Sequence, residues 1–300
     1  MPDEPSRPVR FEVDFRNGGG IEGRDFRLDI AGGDIGEREL ADLLVADLRL
    51  LMVGAVRIRN KRVLVETHKR AAVDAAARRA GYVDLSHTIR NGMITYRGLP
   101  APVICDYLSR AASRSLYASG TEFQIAKIKM VANTGTYVDV PSHRYADGED
   151  LSQVGIERLA DLDAIVVRAQ QRDSPAIGVE FFRDLHVRNR AVLVHTGWDR
   201  HWSTPQYFAD HPFVSAEAAL WLRDAGAVLV GIDSMNIDDT RGNTRPVHST
   251  LLAAGVIIAE HLCNLSDVPD EGFAFSAVPP KIANAGTFPV RALAKLRGAG

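Results

Sequence analysis

The chain has 300 residues, 46% hydrophobic and 25% charged, enough apolar material for one large domain or a domain with a small appendage. Its 36 basic and 38 acidic residues give a net charge of −2 and form no basic stripe, which argues against nucleic acid as a partner. No run approaches the roughly 20 apolar residues needed to span a bilayer, the start at Met1-Pro2-Asp3-Glu4 is polar, and Cys105 and Cys263 read as separate buried thiols, so a cytoplasmic protein is expected.

Phe11 to Phe15 alternates apolar with polar residues, as does Phe26 to Ile30, and Gly18-Gly19-Gly20 between them predicts a hairpin. Leu40, Leu43, Leu44, Leu48 and Leu51 recur at helical spacing between Glu37 and Val53. Val56 to Asn60 and Lys61 to Glu66 predict a second strand pair, and the Ala-rich stretch from Glu66 predicts a helix stopping at Gly81. Residues 1–80 therefore read as a small α+β module. It has no concentrated polar cluster, which favours packing or self-association over chemistry.

The pattern changes at Tyr82. A loop carrying His87, Tyr96 and Arg97 ends near Pro100, and Phe123 to Val131 predicts a strand with Phe123, Ile125, Ile128 and Met130 as its apolar positions. Ala164 to Arg168 and Ala191 to Gly197 read as short strands. Ser215 caps a helix that Gly226 ends, and Ala227 to Asp233 is a buried strand. Leu251 to Leu265 is expected to hold a turn and a strand carrying Glu260. Strands alternating with single helices give an α/β class for residues 81–300.

Two segments concentrate chemistry. Asp139 and His143 stand four apart beyond a predicted strand, with Gly135 permitting close backbone approach and Pro141 stiffening the exit. Alone, such a pair more often caps a turn than forms a site. His248 and Glu260 lie twelve residues apart, and a turn at Gly255 would bring them together. Glu260 ends the apolar run Gly-Val-Ile-Ile-Ala-Glu, where a carboxylate is costly unless a metal, a cation or hydrogen bonds satisfy it. Tyr96 and Arg97, and the aromatic loop with Trp198 and His201, are candidate substrate contacts. A surface loop and a subunit interface are the plainer readings of these two segments.

The run Asn133-Thr-Gly-Thr-Tyr-Val-Asp-Val-Pro-Ser-His143 resembles the first signature of the cyclase family that includes bacterial kynurenine formamidase and isatin hydrolase, His-x-Gly-Thr-His-x-Asp-x-Pro-x-His. Pro246-Val-His-Ser through Glu260 resembles the second, and Asp84-Leu-Ser-His, Val230-Gly-Ile-Asp and Pro289-Val-Arg follow in the same order. The resemblance implies a compact β/β/α barrel-like, swivelling-type domain, a homo-oligomer, and hydrolysis of a small aromatic amide or cyclic amide. It implies His143 as general base and Asp139, His248 and Glu260 as ligands of a divalent ion, zinc or manganese. Asn133 and Tyr137 stand where the family has two metal-binding histidines. A neutral amide and a phenol of ordinary pKa about 10 are weak ligands for zinc. One mononuclear site and a metal-free site therefore both stay open. In the metal-free case Asn133 turns to substrate, and Tyr137 with His143 would serve a cyclase or lyase. A non-catalytic ligand-binding protein is the third reading.

Overall fold

The computed structural model describes residues 9–26, 35–48, 50, 52–61, 81–171 and 173–297. They belong to two compact units, residues 1–72 and 73–300. In the first, β1 (Val9–Phe15) lies between β2 (Gly20–Phe26) and β3 (Val53–Asn60), antiparallel to both. Phe11, Val13, Leu40 and Leu44 make its core, so the Glu37–Asp47 helix buries the leucine stripe expected of it. The helix ends six residues earlier than the periodicity suggests, because Val53 already opens β3. The hairpin turns at Gly18-Gly19, both with positive φ, and its second strand is β2. The second strand predicted at Phe26 to Ile30 falls mostly outside the described residues, as do the strand after Lys61 and the helix of residues 66–80.

In chain order the second unit has β4 (Tyr82–Asp84), β5 (Val103–Leu108), β6 (Ile125–Lys129), β7 (Tyr137–Asp139), β8 (Leu162–Arg168), β9 (Ala176–Ile177), β10 (Ala191–His195), β11 (Phe213–Val214), β12 (Leu229–Ile232), β13 (Ile257–Glu260), β14 (Phe273–Ser276), β15 (Thr287–Pro289) and β16 (Leu293–Leu296). Nine form one sheet in the order β15-β7-β13-β12-β10-β8-β14-β16-β4. The inner four, β13, β12, β10 and β8, are parallel, and the strands on either side are antiparallel. This is a mixed α/β fold whose sheet curls into a half-barrel.

Continuous apolar runs make the four parallel strands because both of their faces are buried. Ala164, Val166, Leu193 and Ala259 face one core with Val138, Phe273 and Phe275. Ile165, Val192, Val230 and Ile258 face the other, which the helices Ala216–Ala225 and Pro246–Ala253 cover with Ala218, Leu222, Val247 and Leu251. Ser215 caps the first of these helices by accepting from Ala218 N–H at 3.1 Å, and Gly226 ends it at φ +85°. The second was not anticipated; the turn expected at Gly255 follows it, with φ +75°.

β5 and β6 stand apart as a two-stranded ribbon, and all of β6 is exposed. The predicted strand from Phe123 shortens because Phe123 N–H donates to Ser113 Oγ at 2.9 Å. Cys105, expected to be buried, lies exposed on β5, while Cys263 is buried as expected. Among the described residues no helix is long and apolar enough to cross a membrane.

Candidate active site

The site begins with strand register. β7 lies between β13 and β15, with Tyr137 opposite Glu260 and Pro289, and Asp139 opposite Ile258 and Thr287. Residues two apart on a strand share a face, so Tyr137 and Asp139 project together while Val138 enters the core on the other side. Upstream, Gly135 adopts φ +69°, and a Cβ there would meet Ile89 at 2.8 Å. Downstream, Pro141 opens a single 3-10 turn that brings His143 back over Asp139, with 3.7 Å between Nδ1 and Oδ1. Gly286 packs against this turn so closely that a Cβ would lie 2.3 Å from His143 N, and this contact delivers Thr287 to the histidine.

Thr287 is the site residue that the sequence reading missed. Its Oγ1 donates to Asp139 Oδ1 and lies 2.7 Å from His143 Nδ1. A hydroxyl has one proton, so His143 Nδ1 must be the donor to Thr287, and Nε2 keeps its lone pair. Burial pushes the Asp139 carboxyl up, but the facing His248 and His143 and the Thr287 hydroxyl outweigh it and hold the group below the usual carboxylate range. Asp139 is thus the anionic end of a chain running through Thr287 to His143.

His248 lies in the first turn of the Pro246–Ala253 helix. One carboxylate, that of Asp238, accepts from Val247 N–H at 2.8 Å and from His248 N–H at 3.0 Å, and it lies 2.6 Å from His248 Nδ1. Asp238 therefore satisfies the helix start and orients the ring, as a partner behind a histidine does in metal sites. His248 Nε2 points at Asp139 Oδ2, 3.5 Å away, and at Glu260 Oε1, 3.8 Å away. Burial opposes a charge on His248, but the facing Asp139, Asp238 and Glu260 push it up to about 10. Burial raises Glu260 to about 7 against the pull of His248.

The donor set fits one divalent ion. Asp139 Oδ2 is buried with no hydrogen-bond partner, and ligand atoms of Asp139, His143 and His248 lie within 4.8 Å of one another. Of this trio His143 stays free as a base, its Nδ1 bonded to Thr287, so Asp139 and His248 supply two of the three protein ligands usual for catalytic zinc. Glu260 stands beside this trio with both oxygens engaged: Oε1 accepts from Ile237 N–H at 2.7 Å and Oε2 from Tyr137 Oη–H at 2.6 Å. Tyr137 is buried, and burial followed by the Glu260 charge pushes its phenol well above the ordinary value, so it keeps its proton and donates. Tyr137→Phe should therefore leave Glu260 with one strong donor and cost about 1–3 kcal/mol in thermal or urea unfolding. An unchanged midpoint would show that Glu260 does not depend on the phenol.

These residues open into a cavity of about 880 Å³. Asn133, Tyr137, His143, His248 and Glu260 reach it, together with Tyr96 and Arg97, and with Arg144, Asn236 and Arg245, which were not anticipated. Trp198 and His201 are not among its lining residues. The Trp198 indole N–H donates to the Tyr207 carbonyl at 3.1 Å within a cluster with Met235, and His201 packs edge-on to Trp198. Asp233 accepts from Thr196 and Gly197 N–H, each at 2.8 Å, and is not among the lining residues. His261 lies outside the cavity lining, buried against Tyr207.

The family model described as "Putative cyclase" matches residues 83–239. A kynurenine formamidase of Geobacillus thermodenitrificans is 28% identical over 189 residues, covering 60% of this chain and 84% of that protein. One of Bacillus cytotoxicus is 27% identical over 213 residues, covering 71% and 96%. Among solved structures, a potential metal-dependent hydrolase with cyclase activity superposes with a TM-score of 0.59 at 25% identity, over 71% of this chain and 96% of that one. Isatin hydrolase A of Labrenzia aggregata shares the fold, with a TM-score of 0.62 at 20% identity over 77% and 99% of the two chains.

Proposed function

The chain belongs to the cyclase family, and from that premise we propose that it hydrolyses a small aromatic amide, the reaction class named by its kynurenine formamidase relatives. The observation that carries this reading is the chain from Asp139 through Thr287 to His143, which places the lone pair of the neutral ring on Nε2, beside the cavity. His143 Nε2 takes the proton of the water that attacks the amide carbonyl. The imidazolium so formed is stabilised through Thr287 by the Asp139 charge. His143 then returns the proton to the leaving nitrogen. Asp139 and His248 would hold a divalent ion with Glu260 beside them, and such an ion supplies Lewis acidity for this chemistry. Tyr137 serves by holding Glu260.

The direct test is release of formate from N-formylkynurenine and from formanilide by the purified, untagged chain, with its metal content read by elemental mass spectrometry. Activity with about one zinc or manganese per chain is expected, lost on chelation and restored by either ion. No formate from either amide, whatever the metal loading, would falsify the hydrolase reading.

We also propose that the protein is a homo-oligomer joined through the β5–β6 ribbon. An isolated two-stranded ribbon is marginal in water, yet this one leaves Tyr107 76% and Ile128 57% exposed, with Phe123 and Ile125 nearby. Sedimentation should give an oligomer that Ile128→Lys dissociates; a monomeric wild type at micromolar concentration would refute it.

A further inference from the structure

Three arginines line the cavity, Arg97, Arg144 and Arg245, and among the described residues none has a carboxylate within 4.0 Å. Neutral groups hold each of them. Arg97 donates to the Pro205 carbonyl at 3.3 Å, and its guanidinium lies 4.8 Å over the Phe208 ring. Arg144 Nε donates to Ser249 Oγ at 3.3 Å, bridging from the His143 turn to the His248 helix. Arg245 NH1 donates to the carbonyls of Gly242 at 2.8 Å and Thr244 at 2.7 Å. Carbonyl, hydroxyl and aromatic partners position a guanidinium without cancelling its charge.

The same loop shows the contrast. Arg241, four residues before Arg245, is tied at 2.7 Å to Asp239 and is not among the cavity-lining residues. The outward arginine is neutralised and the cavity arginine is not. Deeper in the site the acids already have partners: Asp139 has Thr287, Asp238 has His248, and Glu260 has Ile237 N–H and Tyr137. Among the described residues none of these acids forms an ion pair with an arginine at the mouth. Two of these arginines sit beside the histidines in sequence, Arg144 next to His143 and Arg245 three before His248, and all four residues line the same cavity.

We propose that the cavity selects an organic anion: an aryl amide whose carboxylate seats among Arg97, Arg144 and Arg245 while its amide faces His143 and Tyr137. The amide half rests on the hydrolase reading above; the carboxylate half does not. Planar, forked guanidinium groups match a carboxylate.

The probe is a pair of nearly isosteric ligands, benzoate and benzamide, titrated calorimetrically into the full chain at pH 8 and low salt. Benzoate should bind at least roughly tenfold tighter, as expected for one or two charge-assisted hydrogen bonds. Arg144→Gln and Arg245→Gln should each remove most of that gap and leave benzamide binding unchanged, while Arg241→Gln should leave the gap intact. Equal affinities, or a benzoate preference that survives both cavity substitutions, overturn the proposal. Formanilide, which has no carboxylate, reads the other half separately. Discrimination with no formate from either formanilide or N-formylkynurenine keeps the anion site and removes the hydrolase; cleavage of either without discrimination does the reverse.

Discussion

His143→Ala is expected to lower amide turnover by roughly 10²–10⁴-fold, the usual contribution of a positioned acid–base group, and to leave the unfolding midpoint almost unchanged. The separation of the two readouts follows from the geometry. The His143 side chain is 34% exposed, so its removal opens no cavity in the core. The contact that shapes the turn is made by the His143 backbone with Gly286 and survives the substitution. What disappears is the Nε2 lone pair, and Thr287 is left bonded to Asp139 alone. A variant with turnover within a few-fold of wild type would remove His143 from the mechanism. Thr287→Val sharpens the test, since it keeps the shape, frees the imidazole to change tautomer and should lower kcat more than it raises KM. Equal loss in both would indicate a displaced substrate and not a misoriented base.

The parts of this site legible in sequence are those whose signals are local. The β8, β10 and β12 strands are continuous apolar runs bounded by polar residues, and the Ser215–Gly226 caps adjoin the helix they close. Glu260 was readable because a carboxylate ending an apolar run must find partners. The His248 helix was not readable. Its N-cap position is Arg245, which makes no capping bond, and the acceptor for its first N–H groups is Asp238, nine and ten residues upstream of the donors. Its burial on one face against the sheet and its cavity contact through His248 and Ser249 leave no clean apolar stripe. Thr287 was hidden for a related reason. A three-residue strand has no periodicity to detect, and only pairing with β7 places it opposite Asp139. The aromatic loop shows the converse. Composition marks Trp198 and His201 as ligand-like, but not which way the loop faces, and the Trp198 indole turns inward to the Tyr207 carbonyl.

Asp238→Ala is the substitution expected to cost most stability, because one buried carboxylate serves three donors. Removing a partner of a buried charged pair costs about 3–5 kcal/mol, and an uncapped helix start adds about 0.5–2 kcal/mol. At about 2–4 °C per kcal/mol for a unit of this size, the midpoint should fall by roughly 7–28 °C. Asp238→Asn separates the two parts, since an amide oxygen can still accept from Val247 N–H but brings no charge to His248. The separation is read through pH. His248 has its folded value raised from 6.5 to about 10 by facing carboxylates, against its burial. A raised value means that the stabilisation is fully present below pH 6.5 and is lost as pH rises through about 10. Chelator-treated wild type should therefore lose stability steadily across that window, and the Asn variant should start lower and lose less. Parallel pH profiles for the two proteins would show that Asp238 acts only as a cap. A flatter profile for the variant would show that it also holds the imidazolium, the same interaction that fixes His248 Nε2 toward Asp139 when a metal replaces the proton.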